Sequence, residues 1–571
     1  MKSNRRNFIK TMGAGATGVA FGSASIAATS CTRTGTTGST ENVEYDDQVL
    51  FIGDDIALAD TQYGKVKGYI LRDIYYFLGI PYGADTSGPN RFMPPQKPEP
   101  WDDIYPAVWW GDTAPQNMER RYSNAYQSFA DHWNYYDVSE NCLKLNVFTP
   151  AINDGKKRPV MFWCHGGGFT NGNGIEQDGY NGENLCRFGD VVFVSVNHRL
   201  GPMGFSNLAG VGGEKFAASG NVGMLDLVAA LEWVSDNIAN FGGDPGNVTI
   251  MGQSGGGAKV TTLTAMPSAK GLIHKAVVLS GAGVMTGDKE YAEKLGEYIL
   301  KEAGLKPQDI GKLQEMPWQE YYALANRASA KMREELGPVG GGMRMGFSPC
   351  ADGVYIPQHP YYPEASPTAA DVPMIICSTM NEMAPSRTNA ELEKVTLDEV
   401  KEYVKERAGF GAGFGDKAGE VVDAYARAFP DLKPVEIWSL VSSNRKGVVD
   451  LADAKVKQPA ALYVAWFRWQ PPLFDNRMRA FHCVDICFWY YNTDVMLTHT
   501  GGGPRPRALS EKMAGALVQF MLTGNPDGGG LPAWSKYTTE NGEVMVLNDV
   551  SELQNDPDRE ARKTLPSAWS A

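Results

Sequence analysis

The sequence predicts an α/β protein built on a doubly wound, mostly parallel central sheet, and three observations carry that reading. The runs Pro159-Val-Met-Phe-Trp-Cys164 and Val191-Val-Phe-Val-Ser-Val196 are continuously apolar, which suits strands covered by helices on both faces. Leu225, Val228, Leu231, Val234 and Ile238 then step by three or four, an amphipathic helix stopped at Gly242-Gly243. Finally, the β-branched run Val248-Thr249-Ile250 passes through Gly252-Gln253-Ser254-Gly255-Gly256 into a helical stretch, giving a strand, a sharp turn and a helix.

The remaining elements follow in order. Val43 to Phe51 and Ile56 to Leu58 read as short opening strands, Tyr63 to Ile70 as a half-buried alternating strand, and Tyr75 to Pro81 as the next. Asp85 to Pro100 is Pro-rich loop, and residues 101–136 are crowded with aromatics from Trp101 to Tyr136. Two readings stand for that crowd: packing against the core, which is what large aromatics mostly do, and the rim of a binding gorge. Leu143 to Thr149 alternates as a strand, and Ala276 to Ser280 and Met374 to Cys377 are further short buried strands. Residues 282–370 read as a helical and looped insertion over the C-terminal edge of the sheet, and 391–455 as helical again. Ala460 to Trp469 is a strand, and Ser510 to Thr523 a closing helix.

Composition bounds the function. The 571 residues are 43% hydrophobic and 21% charged, ordinary values for a globular chain. The net charge is −13, and Lys2, Arg5, Arg6 and Lys10 are the only charged residues before position 31, so without those four cations the remainder carries −17. Such a surface disfavours nucleic acid and anionic lipid as partners. Asn4-Arg5-Arg6-Asn7-Phe8-Ile9-Lys10 precedes a mildly apolar Gly/Ala-rich run from Met12 to Ala28, so residues 1–30 are expected to be a twin-arginine-type signal peptide. Ala28-Thr29-Ser30-Cys31 offers Cys31 as a lipidation site, with cleavage near Ala27 or Ala28 as the alternative. Residues 31–42, rich in Thr, Gly and Ser, would form a flexible tether, leaving 43–571 as the folded domain. The expected location is the periplasm or, through the lipid, the cell envelope. The eight cysteines show no C-x-x-C pair or zinc-type spacing, and most are read as buried free thiols; no metal or cofactor is expected.

The turn at Ser254 carries the chemistry. G-x-S-x-G holds a serine on a strained strand-to-helix turn, where only small neighbours fit. In a chain with 64 glycines the motif alone means little. A serine nucleophile needs a base, and the base an acid; in this kind of elbow the order is Ser, acid, His. Of seven histidines, only His482 and His499 follow a further strand at the right remove; His482, just past Ala460–Trp469, is the better placed, while His499 stays a rival. Glu382 lies just beyond the strand Met374 to Cys377, with Asp352 and Asp485 as rivals; Asp485, three residues from His482, suits a supporting hydrogen bond better. His165-Gly166-Gly167-Gly168-Phe169 follows a buried strand and matches an HGGG-type loop, so the backbone N–H groups of Gly167 and Gly168, with Gly255 from the elbow, are the expected oxyanion donors. A phosphate-binding loop is the rival, but no Lys-Ser/Thr follows.

At this point the chain resembles the type-B carboxylesterase/lipase family, the α/β-hydrolases that include cholinesterases and bacterial para-nitrobenzyl esterases. The resemblance covers about residues 55 to 550 and rests on Glu140 to Pro150, Pro159 to Phe169, Asn197 to Phe205, Gly220 to Asp226 and Phe241 to Thr249, continuing into the elbow. It implies an α/β-hydrolase fold with helical insertions over the active-site edge, and Ser254, Glu382 and His482 as a triad. The implied activity is metal-free hydrolysis of small-molecule carboxylic esters through an acyl-enzyme. Several positions depart from the family pattern. Gln253 replaces a glutamate, Gly255 an alanine common in eukaryotic members, and Met383 and Cys483 stand where glycine is usual. Cys142 matches a family half-cystine but has no upstream partner, so the first family disulfide is expected to be absent. Activity is expected to fall in the region of pH 6 as His482 protonates. The alternatives are a non-catalytic cholinesterase-like binding module, which usually lacks a triad member, and an amidase or thioesterase using the same groups.

Overall fold

The continuous apolar runs become the middle of a twelve-stranded sheet. Its strands are β1 (Leu50–Phe51), β2 (Tyr69–Leu71), β3 (Ile74–Pro81), β4 (Lys144–Thr149), β5 (Arg158–Cys164), β6 (Val192–Val196), β7 (Gly243–Gln253), β8 (Lys275–Leu279), β9 (Met374–Thr379), β10 (Leu462–Phe467), β11 (Glu543–Leu547) and β12 (Glu552–Asn555). This computed structural model describes residues 48–118, 129, 137–336, 346–409 and 412–566. The expected signal peptide, Cys31 and the tether lie outside the described residues, as do Tyr122, Tyr126, Trp133, Tyr135 and Tyr136.

In space the strands run β1-β2-β3-β4-β6-β5-β7-β8-β9-β10-β11-β12. From β6 to β11 every neighbouring pair is parallel, and the first four strands and β12 join antiparallel. Every residue of β5, β6, β9 and β10 is buried, which is why their sequences do not alternate. The chain goes from β5 outward to β6 and then returns to β7 on the other side of β5. That reversal opens a crevice beyond the C-terminal ends of the strands. The register aligns those ends: Cys164 pairs with Gly252, Gln253 with Leu279, Leu279 with Cys377, and Thr379 with Phe467. The loops that follow therefore open on one edge.

Helices follow from the same pattern. Val222–Asn237 forms α1, and one 3-10 turn, Ile238–Phe241, ends at Gly242 in the left-handed region with φ 77°. Helix α2, Gly255–Leu263, leaves the elbow and packs on β7 and β8. The first insertion contributes α3 (Lys289–Glu302) and α4 (Trp318–Leu336), which pack on each other. The second contributes α5 (Leu397–Glu406), opened by a Thr396–Glu399 capping box, followed by α6 (Ala418–Ala428), α7 (Pro434–Val441) and α8 (Arg445–Lys455). The closing helix α9 spans Pro504–Thr523, starting earlier than the sequence suggests because Pro504 pre-sets its first turn.

Two buried ion pairs hold distant segments of the chain together. Arg199 grips Asp226 at 2.9 Å and 2.6 Å with both side chains inaccessible, and the Arg199 backbone N–H adds a third bond to the same carboxylate. Arg91 holds Glu140 in the same two-pronged way, both bonds at 2.6 Å. Each fork saturates a buried carboxylate that would otherwise be costly to leave unpaired.

One sequence expectation needs adjusting. Tyr63 to Ile70 is not one strand: Gly64–Lys67 pairs with Leu58–Thr61 and Tyr105–Pro106 in a separate small sheet, and the chain breaks at Gly68 before entering β2. A side chain at Gly68 would press within 2.0 Å of the Tyr76 carbonyl oxygen, so the glycine lets one segment serve two sheets. The sheet also closes with an antiparallel hairpin, β11–β12, that the sequence pattern does not reveal. In the aromatic segment, Trp101 packs against Tyr63 and Tyr105, and Trp110 against Phe148, in keeping with the packing reading for those residues.

Candidate active site

Ser254 sits between β7 and α2 with φ 58° and ψ −123°, a conformation a non-glycine residue adopts only under constraint. The constraint is the surrounding close packing. A side chain at Gly252 would meet the Gly256 carbonyl oxygen at 2.3 Å, and one at Gly256 would meet the Cys164 oxygen at 2.0 Å. The elbow is thus pressed against the end of β5, and its glycines are there because backbone meets backbone. Ser254 itself is partly exposed, whereas Gln253 is fully buried.

The loop leaving β5 runs beside the elbow. Gly167 and Gly168 both take left-handed backbone, with φ 79° and 64°. A side chain at Gly167 would strike the Asn171 oxygen at 2.3 Å, and one at Gly255 would come within 2.2–2.4 Å of Gly168 backbone atoms. The backbone N–H groups of Gly167, Gly168 and Gly255 make no hydrogen bond among the described residues, and Gly255 opens a helix whose positive end faces the same edge.

Glu382 and His482 meet across a hundred residues of chain. The loops after β9 and β10 are stitched together by Asn381 N–H to the Ala480 oxygen at 3.1 Å, Ala480 N–H to the Asn381 side chain at 3.3 Å, and His482 N–H to the Glu382 oxygen at 3.3 Å. The buried Glu382 carboxylate accepts the Thr379 N–H at 3.1 Å on Oε1 and bonds His482 Nδ1 on Oε2. That second bond fixes the imidazole with Nδ1 protonated and Nε2 free to act as acceptor. Burial opposes the imidazolium, but the Cys483 sulfur and the Glu382 carboxylate outweigh it, holding His482 well above its ordinary value. The imidazole is still 24% exposed, so it is reachable from the crevice.

His482 does not hydrogen-bond to Ser254 here. Its Nε2 lies 3.1 Å from Gln253 Nε2, and Cys483 Sγ in turn donates to Gln253 Oε1 at 3.2 Å. Two positions that depart from the family pattern are therefore in contact with each other and with the histidine. Cys483 has φ 77°, which explains why glycine is usual there, whereas Met383 needs no left-handed backbone. Neither the glutamine nor the cysteine was given a role from sequence. The signal that could have found them was the pairing of two departures beside two candidate catalytic residues.

The rival residues make other contacts. Asp352 bonds Asn221 at 2.9 Å and the N–H groups of Val354 and Ile356. His499 is buried edge-on against Phe481. Asp485 is fully buried near Glu382 but forms no hydrogen bond with His482. Burial, then the Glu382 charge, pushes its carboxyl up to about 7. Every cysteine among the described residues is a free thiol and all but Cys483 are buried, Cys142 included. Among the described residues no group of three or more His, Cys, Asp or Glu side chains is arranged to hold a metal.

A parallel sheet with this crossover, a strained serine elbow at its C-terminal edge and helices on both sides define an α/β-hydrolase. A profile of the Carboxylesterase family matches residues 56–564. The chain is 32% identical over 516 residues to a para-nitrobenzyl esterase of Bacillus subtilis, covering 89% of this chain and 98% of that protein. It is 29% identical to a phenmedipham hydrolase of Pseudarthrobacter oxydans, over 89% of this chain and 99% of that one. Among solved structures, an esterase from Clostridium hathewayi that can hydrolyse aliphatic aromatic polyesters superimposes with a TM-score of 0.77 at 32% identity, covering 90% and 98% of the two chains. A Geobacillus stearothermophilus carboxylesterase gives 0.73 at 30% identity, covering 89% and 100%. The chain belongs to the carboxylesterase family, and it is a carboxylic ester hydrolase.

Proposed function

We propose that the chain is a serine esterase in which Ser254 is the nucleophile, His482 the general base and Glu382 the acid that orients it. The observation that carries this reading is the Glu382–His482 contact at the edge where Ser254 sits on its strained turn. A small ester enters the crevice with its carbonyl oxygen towards the N–H groups of Gly167, Gly168 and Gly255. His482 exchanges the Gln253 amide for the Ser254 hydroxyl and takes its proton as Oγ attacks the carbonyl carbon. The three N–H groups receive the negative charge, and Glu382 steadies the imidazolium. The proton passes to the departing alkoxide, leaving an acyl-serine. Water then repeats the sequence, with His482 as base, and frees the acid.

The test is hydrolysis of 4-nitrophenyl esters from acetate to palmitate by wild type and Ser254→Ala, beside a matched anilide. Turnover of esters by wild type alone supports the reading, and the chain-length optimum sizes the acyl site. Equal rates on ester and anilide would favour an amidase. Folded wild type without turnover would favour a binding module. We propose in addition that residues 1–30 direct twin-arginine export, with Cys31 the site of lipidation, on the strength of Arg5-Arg6 and the apolar run behind them. Cell fractionation of wild type and an Arg5→Lys/Arg6→Lys variant tests export, and Cys31→Ala tests attachment to the envelope.

A further inference from the structure

Several buried charged residues take no part in the proposed mechanism, and one of them stands directly behind the His165–Gly168 loop. Lys259 lies in α2, a helix otherwise made of small and apolar or hydroxyl-bearing residues, and is completely inaccessible. Its Nζ donates to the His165 carbonyl oxygen at 2.9 Å and approaches the Gly166 oxygen at 3.5 Å. It makes no ion pair among the described residues. A lysine buried on backbone carbonyls alone is expensive, and an apolar side chain would fill the same space at less cost.

The two carbonyls belong to the loop that follows β5. The Gly166 carbonyl and the Gly167 N–H are the two ends of one peptide group. That carbonyl also lies 3.0 Å from His165 Nδ1, so donors converge on one end of a peptide whose other end faces the crevice. Drawing electron density towards the carbonyl makes the N–H a stronger donor, the ordinary cooperativity of chained hydrogen bonds.

We propose that Lys259 is a positioning residue of the oxyanion hole: from behind the His165–Gly168 loop it fixes the loop on the elbow helix and polarises the Gly166–Gly167 peptide towards the developing oxyanion. Around it stand Cys164 and His165 from β5 and its loop, His198 stacked on His165 at 5.1 Å, and Glu176. Burial pushes the Lys259 amine down to about 7, with Cys164 and Glu176 acting the other way. Charged or neutral, the amine donates N–H to the two carbonyls.

The inference rests on the Ser254 reading. The experiment compares wild type, Lys259→Met and Lys259→Gln on 4-nitrophenyl butyrate, with inhibition by an alkyl trifluoromethyl ketone, which adds to an active serine as an oxyanionic hemiketal. Circular dichroism melts establish the folded fraction of each protein. The expected result is an about tenfold fall in kcat for Lys259→Met, less than a full donor deletion, with KM little changed. Inhibition weakens by the same factor, and Lys259→Gln, which keeps an N–H donor, falls between. If Lys259→Met does not fold, Lys259→Gln carries the same comparison. Unchanged kcat, or a loss of kcat with undiminished ketone affinity, overturns the inference while leaving the esterase reading intact. A folded wild type without esterase activity overturns both.

Discussion

Replacing Gly255 by alanine tests the packing of the elbow against the oxyanion loop. The added methyl would lie 2.2 Å from the oxygen, 2.3 Å from Cα and 2.4 Å from the nitrogen of Gly168. All three are backbone atoms, so no side chain can swing aside. Restoring ordinary contact requires Gly168, held at φ 64°, to retreat by more than about 1 Å, and a misplacement of about 1 Å can already cost about a hundredfold in rate. The same strain should lower stability by about 1–3 kcal/mol, as overpacking does. The assay is kcat and KM on 4-nitrophenyl butyrate, together with the melting temperature. The expected signature is a large loss in kcat with a modest loss in Tm, because in the proposed mechanism the displaced group contacts the transition state. Alanine at the corresponding position is common in eukaryotic relatives, so an unchanged kcat would show that the loop follows the elbow freely, and would refute the argument from close packing.

Other predictions follow from the same contacts. In the proposed mechanism only neutral His482 accepts the serine proton, so the acid limb of kcat/KM should lie above the ordinary imidazole range, activity falling as pH drops through that raised value; a limb near the pH 6 expected from sequence would show that Cys483 and Glu382 do not raise the imidazole, and a rate unchanged down to pH 4 would contradict the assignment. Gln253→Glu puts a second carboxylate beside His482 and should move the limb further up, measured on the same profile. Glu382→Gln should lower kcat by about 10³–10⁴-fold while leaving Tm nearly unchanged, as loss of the orienting acid does in serine hydrolases generally. Asp226→Ala strands the buried Arg199 guanidinium and should cost about 3–5 kcal/mol in denaturant unfolding.

Much of this was legible in the sequence where the signal is local. The elbow is readable because Gly252, Ser254 and Gly256 stand between a β-branched run and a helical stretch; the motif without that setting means little. The buried strands announce themselves because β5, β6 and β9 have no polar face to show. The order of strands favoured Glu382 and His482 but left Asp352, Asp485 and His499 as rivals, and the family resemblance is what singled the two out. What escaped has a different character. Gln253 meets His482 across 229 residues and Cys483 across 230, and Lys259 meets His165 across 94, contacts fixed by sheet register and not by spacing. The split at Gly68 escaped because alternation describes one strand of either sheet equally well. The β11–β12 hairpin escaped because its buried half, Glu543–Leu547, is too short to read without its neighbour β10.

Acylation of Ser254 is the step on which the proposed mechanism turns, and a mechanism-based label reports on that serine directly. Wild type and Ser254→Ala would be treated with a fluorophosphonate, digested, and analysed by mass spectrometry alongside residual esterase activity. The expected result is one equivalent of label on the peptide carrying Ser254, activity lost in proportion to labelling, and no label in the variant. Label on another residue, or ester hydrolysis persisting in Ser254→Ala at the wild-type rate, would contradict it.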